Sequence, residues 1–254
     1  DAYASASGEI MKPLIEQIIL ISAISIVLLV FISGCIMPGC IQGSGSYAFE
    51  NRTVDDFSSI DLAGIGDVYL VQEEKHLRIE AEDNIIQYMK TDVSGGKLTI
   101  YQRADCINPH EPIKIFASTP VLESISISGS GRIISRSPIE SDALSLGMSG
   151  SGSMELNILC QDLRATISGS GDALLKGVTK DSDIMISGSG TMHGYDLMTD
   201  RSDVTISGSG MAQVNAMDEL NALISGSGSV YYKGNPRNVS QMVSGSGKVI
   251  VSEG

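Results

Sequence analysis

The sequence predicts an all-β fold, a single-domain parallel β-helix preceded by an N-terminal hydrophobic α-helix. Three observations carry that prediction. The pentapeptide Ile-Ser-Gly-Ser-Gly recurs at Ile167–Gly171, Ile186–Gly190, Ile206–Gly210 and Ile224–Gly228, with looser copies ending at Gly131, Gly152 and Gly247. Apolar and polar residues alternate on both sides of each copy, the period-two pattern of a strand with one buried face. Tryptophan is absent and aromatics make up 5% of the chain, so the core must be built from aliphatic side chains rather than rings.

The first element is apolar. From Ile18 to Ile32 every residue is apolar or serine, and no charge occurs between Gln17 and Phe49. That stretch is short for a membrane span but long enough for the hydrophobic region of an export signal. Lys12 ahead of it favours a cytoplasmic N-terminus. The segment ends in Ile32-Ser33-Gly34-Cys35, which resembles a lipoprotein lipobox and makes Cys35 the candidate lipid acceptor. If the helix is retained, it serves as a membrane anchor or as the core of a pilin-like filament. Residues 1–36 are therefore assigned to this helix, 37–46 to a flexible tether and 47–254 to the β-helix. The folded part is expected outside the cytoplasm, at the cell surface.

The repeat period follows from the first glycine of each Gly-Ser-Gly: Gly129, Gly150, Gly169, Gly188, Gly208, Gly226 and Gly245. The second glycines are Gly131, Gly152, Gly171, Gly190, Gly210, Gly228 and Gly247. The copies recur about every nineteen residues, as stacked coils do. Two residues before the first glycine stand Ile127, Met148, Ile167, Ile186, Ile206, Ile224 and Val243. Four before it stand Ile125, Leu146, Ala165, Ile184, Val204, Ala222 and Gln241, apolar but for the last. Two after the second glycine stand Ile133, Met154, Ala173, Met192, Ala212, Val230 and Val249. Each repeat therefore reads as strand, corner, strand and a looser return, with ISGSG repeats from residue 125 onward. One turn alone cannot offset the entropy of ordering its backbone, so neighbouring turns must supply hydrogen bonds and further burial. Right-handed winding is expected from the general crossover preference. The serine before each corner (Ser128, Ser149, Ser168, Ser187, Ser207, Ser225 and Ser244) would stack as a hydroxyl ladder. A phosphate-cradling loop needs one glycine-rich turn opening onto a helix, usually with a lysine; seven copies flanked by strands read as corners.

Residues 49–122 lack the period but keep the alternation. Ile60 and Leu62 precede a degenerate corner, Gly64-Ile65-Gly66, followed by Val68 and Leu70. "HLRIEAE", "KLTIYQR" and "IKIFAS" read as strands, and "DNIIQYM" as a short helical or irregular insert. The order "VDDFSSIDLAGIGDVYLVQEEKHLRIEAEDN", "GGKLTIYQR", "PVLESISISGSG" and the following ISGSG rungs resembles the auto-transporter adhesin, head GIN domain family (DUF2807), over Phe49 to Val251. The resemblance implies a β-helical domain on exported proteins, often lipoproteins, with no established catalytic residues.

The remaining chemistry is sparse. The net charge of −13 opposes binding to nucleic acid. His76, His110 and His193 have no distinctive neighbourhoods, and the repeated serines form an equivalent series, so no hydrolase is expected. Cys35, Cys40, Cys106 and Cys160 fit no zinc spacing; Cys106 and Cys160 could form a disulfide in an oxidising compartment, and sequence alone does not pair them. Asn51 and Asn238 begin glycosylation sequons. Five residues before the first glycine, Arg164, Asp183, Asp203 and Asn221 would stack on adjacent turns. That column reads as a solvated charge ladder in which Arg164 neutralises Asp183, and alternatively as a cation or sugar site. Lys248 and Glu253 are candidate edge-protecting charges on the last rung.

The expected protein is thus non-enzymatic, without cofactor or metal. Its expected role is structural or adhesive, at the cell surface, with self-association through the C-terminal rung. A pilus-like filament subunit and a carbohydrate-binding or carbohydrate-active β-helix are the alternatives. The expected partners are further copies of the chain, the membrane and a surface glycan.

Overall fold

The computed structural model describes residues 39–104 and 106–252. The predicted hydrophobic helix, with Cys35, lies outside the described residues, as does Glu253. Among the described residues no helix is long and apolar enough to cross a membrane.

The body from Ile41 onward is all-β, a solenoid of about seven turns. Its only described helical element is a single 3-10 turn, Ile86–Tyr88, within the insert expected there. Two parallel stacks meet at the Gly-Ser-Gly corner. On the side before the corner, β3 (Ser59–Ala63), β10 (Ser124–Ile127) and β12 (Ile139–Gly150) pair in order. They are followed by β13 (Ser153–Gly169), β14 (Asp172–Gly188), β15 (Thr191–Gly208), β16 (Met211–Gly226) and β18 (Asn238–Gly245). On the side after it, β4 (Asp67–Val71) pairs with β11 (Arg132–Ser135), which leads through β13 to β16 and then β17 (Ser229–Lys233) and β19 (Lys248–Val251).

The aliphatic columns form the interior. Ile127, Met148, Ile167, Ile186, Ile206 and Ile224 are all at most 3% exposed. Their neighbours four residues before the corner and two after it are buried with them. Phe57 is the one aromatic residue in this core among the described residues, as the scarcity of rings led one to expect.

Both glycines of a corner are demanded by the stack. Gly188 has φ +119°, and a Cβ there would fall 2.7 Å from the Gly169 carbonyl oxygen of the turn above. The same carbonyl accepts the Ser189 amide at 2.9 Å. A Cβ on Gly190 would meet Ile167 Cγ2 at 2.5 Å: the second glycine leaves room for the isoleucine of the preceding rung.

The return segment is not loose. β13 to β15 run as strand from one corner to the next, and Cys160 faces Thr179, which faces Thr199. Parallel neighbours in register satisfy the backbone through the bends, so pairing need not lapse there. The uneven repeat length is absorbed by register shifts between Leu174 and Lys176 and between His193 and Met198. The corner serines stack in register on the outside but form no hydroxyl ladder. The serine pair that is hydrogen-bonded is buried: Ser182 to Ser202 at 2.9 Å, with Thr199 on Ser202 at 2.7 Å.

Antiparallel strands cover the N-terminal end. β7 (Lys97–Gln102) continues the stack beyond β3 and pairs antiparallel with β6 (Met89–Ser94). β9 (Lys114–Ser118) lies on β4 and pairs antiparallel with β5 (His76–Glu82), which in turn pairs antiparallel with β2 (Tyr47–Asn51). The strand stretches were legible in sequence; their antiparallel sense was not.

Candidate functional site

The charged column stacks as its spacing predicted. Ser145, Arg164, Asp183, Asp203, Asn221 and Ser240 occupy equivalent positions on successive rungs. Arg164 pairs with Asp183 at 3.1 Å, and the Asn221 amide donates to Asp203 at 2.8 Å. A parallel column, two residues earlier, adds Arg201 between Asp181 (3.3 Å) and Glu219 (3.2 Å). A shallow groove beside them is also lined by Glu123, Asp162, Leu144 and Leu163. Among the described residues no group of three or more His, Cys, Asp or Glu side chains could hold a metal ion. The ladder is an exposed, internally paired surface.

A second cluster had no sequence signal. Glu82, at the end of β5, is fully buried. Burial alone would push its carboxyl up. Hydrogen bonds from the Gly45 amide (2.6 Å), the His110 amide (2.9 Å) and the His110 ring (3.2 Å) outweigh that and hold it below its ordinary value. Ser44 bonds to Asp83 and Asn84, and the Asn84 side chain donates to the Gln42 carbonyl at 2.7 Å. This clasp ties the segment 42–45 and the His110 loop to β5. Reading the sequence alone left His110 without a partner, because 28 residues separate it from Glu82. His193 bonds to Gln213, and His76 opens β5 on the surface. Among the described residues neither ring is hydrogen-bonded to a serine hydroxyl, although His76 lies opposite Ser118 in the β5–β9 ladder.

The cysteines decide a point that the sequence left open. Cys106 is disulfide-bonded, and so is Cys40. Ile41 and Ile107, the residues that follow them, are partners in the short parallel pair of β1 (Ile41–Gln42) and β8 (Ile107–Asn108). Cys160 is instead a free thiol buried in the core, 3.3 Å from Thr179 Oγ1. Burial pushes that thiol up, which favours its neutral form. The register aligns Cys160 with Thr179 in the stack, whereas Cys106 sits in the N-terminal part beside β8, so the Cys106–Cys160 pairing that the sequence left open does not form.

The C-terminal rung is the most unusual surface. All eight residues of β18 are exposed. Val243 lies under Ile224 in the interior column yet is 40% exposed, and Val239 under Leu220 is 42% exposed; Ile224 and Leu220 are at 0%. Gln241 takes the place that Ala222 fills above it. Among the described residues β18 pairs only with β16, and β19 only with β17. Asn238 opens β18 and Asn51 closes β2, both exposed.

The model of the family described as "Putative auto-transporter adhesin, head GIN domain" matches residues 56–236. The chain belongs to that family. A solved structure described as a putative adhesin from Bacteroides fragilis is 25% identical with TM-score 0.79, covering 84% of this chain and all of its own. A putative adhesin from Parabacteroides merdae is 25% identical with TM-score 0.68, covering 84% of this chain and 99% of its own. A structure from Parabacteroides distasonis described as a putative lipid binding protein, 24% identical with TM-score 0.71, covers 85% of this chain and all of its own and shares the fold. No curated protein matches. Membership in this adhesin family suggests a surface or extracellular setting for the head GIN domain.

Proposed function

We propose that this head GIN domain works at the cell surface as a non-enzymatic adhesive or structural module, and that copies of it associate through the C-terminal rung. The observation that carries the reading is the open interior column at β18, where Val239 and Val243 stand exposed beneath fully buried neighbours. Exposed apolar surface bordered by unpaired strand edges is a template for association. The disulfide-bonded Cys40 and Cys106 support an oxidising compartment. The lipobox-like Cys35, or a retained apolar segment, would supply the anchor.

Sedimentation of the full-length chain in detergent over a concentration series tests the association. Reversible association that Val243→Asp weakens is expected. Identical sedimentation of the two proteins would overturn the reading. Protease shaving of intact cells tests the location: loss of the domain before lysis is expected, and its survival until lysis would count against surface display.

A second reading, glycan binding, draws on the groove beside the charged column, where Glu123, Asp162, Asp181 and Asp183 converge with Arg164 and Arg201. Carboxylates and guanidinium groups in one groove can accept from and donate to sugar hydroxyls. A glycan array with wild type and Arg164→Ala decides it: hits lost in the variant support this reading, and a blank array removes it.

A further inference from the structure

Resting on the reading that the C-terminal rung is the contact surface, we infer that association stops at two: a second copy of this chain seats its own C-terminal rung on the first, tail to tail about a two-fold axis. The occupant of the open end is thus an identical rung, not the other end of the molecule.

The two ends of the solenoid differ in what they can accept. At the N-terminal end the interior is closed by the chain itself, with Leu77, Ile79 and Leu98 at most 1% exposed. The strands at that end that pair on one side only, β2 and β6, carry Glu50, Lys90 and Asp92. Charges on an edge strand oppose pairing with another strand. A head-to-tail contact would press the open rung against this sealed cap, whose edge strand β2 also exposes Tyr47 and Phe49 but offers no open interior column. It would leave the apolar column of the rung without a matching column.

An identical rung matches it. Turning one copy over about an axis across the stack keeps the hand of the coil but reverses the direction in which its last rung runs, so the facing edges run antiparallel and can exchange hydrogen bonds. The inward Val239, Gln241 and Val243 of each rung then line one interior shared by both copies. β18 carries no charged residue although the chain has a net charge of −13, so its edges approach without like charges on the strands themselves. Lys248 remains exposed on β19 at the margin. An interface of this kind uses the same patch in both partners and is consumed on pairing, which closes the assembly.

The test uses the full-length chain in detergent, with nitroxides attached through non-natural residues at position 242 or 94. Met242 is 69% exposed on β18, and position 94 ends β6. Sedimentation is expected to level off at a dimer. Labels at 242 should then couple strongly across the two copies. Labels at 94 should not couple, because nine strand spacings, each of about 4.8 Å, separate β6 from β18 within each copy. Val243→Asp should raise the dissociation constant by about tenfold or more, with unchanged circular dichroism and melting showing that the fold survives. An open-ended series of oligomers, or coupling between 94 in one copy and 242 in another, would overturn the two-fold arrangement while leaving the rung as the contact. A monomer at all concentrations would overturn both. A dimer indifferent to Val243→Asp, as association through the apolar N-terminal segment would give, also overturns both.

Discussion

The two ends of the solenoid solve the same problem differently. Every stacked coil must end somewhere, and at its end the interior column and the strand edge lose their partners. At the N-terminal end the chain turns its strands antiparallel, β5 against β2 and β9, β6 against β7, and buries Leu77, Ile79, Met89 and Leu98 beneath them. At the C-terminal end β18 continues the same parallel register as every rung above it, and among the described residues no further rung covers it. The comparison teaches that a repeat ends safely only where the sequence departs from it. A further copy of the repeat moves the open column along by one step.

Substitutions at equivalent positions break this comparison most directly. Ile186 and Val243 share one column, the first at 0% and the second at 40% exposure. Ile186→Ala should cost about 3–4 kcal/mol and Val243→Ala less than about 1 kcal/mol, read by chemical denaturation of the monomeric form. Equal costs would mean that the terminal rung is covered in solution.

Backbone changes come next. Gly188→Ala forces a side chain onto φ +119° and against the Gly169 carbonyl, and should cost about 2–4 kcal/mol. Gly147 lies outside the corners, and a Cβ there would meet only Ser126 Cβ at 3.5 Å, an ordinary contact. Gly147→Ala should leave the denaturation midpoint unchanged or slightly raised. A comparable loss at both positions would sink the argument that the corners need glycine for close approach.

Acid should separate the ends. The Glu82 carboxyl is held below its ordinary value of 4.5 by its hydrogen bonds. Its contribution to stability is therefore complete above that value and is lost as pH falls through the depressed folded value. Hydrogen exchange at the Gly45 and His110 amides, which donate to Glu82, should quicken on acidification, with no matching step at the β18 amides. Glu82→Gln should lack this acid transition; its persistence there would assign the transition to other groups.

The smallest effect is expected on the charged outer column. Arg201 bridges Asp181 and Glu219 but its side chain is 53% exposed. Arg201→Ala should barely lower the midpoint of chemical denaturation, with the difference shrinking further in high salt.

How far the sequence was legible depended on whether its signal repeated. The aliphatic columns, the corners and the stacked Arg164–Asp183 pair could be placed by counting, because one register applies to every rung. The strands of the first half were legible as strands. Glu82 and His110, like the disulfide-bonded Cys40 and Cys106, lie where no repeat applies, so nothing in the spacing linked them. Asp61 shows the same limit: it is 8% exposed inside β3, which no alternation pattern allows, because Ser126 and Ser128 of the next turn donate to it at 2.8 and 3.1 Å.

By itself, then, the sequence determined the coil. A nineteen-residue period with glycine at the corners and aliphatics every second residue admits only stacked turns, since that pattern buries a continuous column and a single turn cannot. The tertiary structure decided the ends and the exceptions. Antiparallel capping, the buried Glu82 clasp, the free Cys160 and the exposed Val239 and Val243 all depend on which distant segment lies alongside. Burial is a property of neighbours: Ile224 and Val243 occupy one column, and only the presence or absence of a rung beneath makes one core and the other surface.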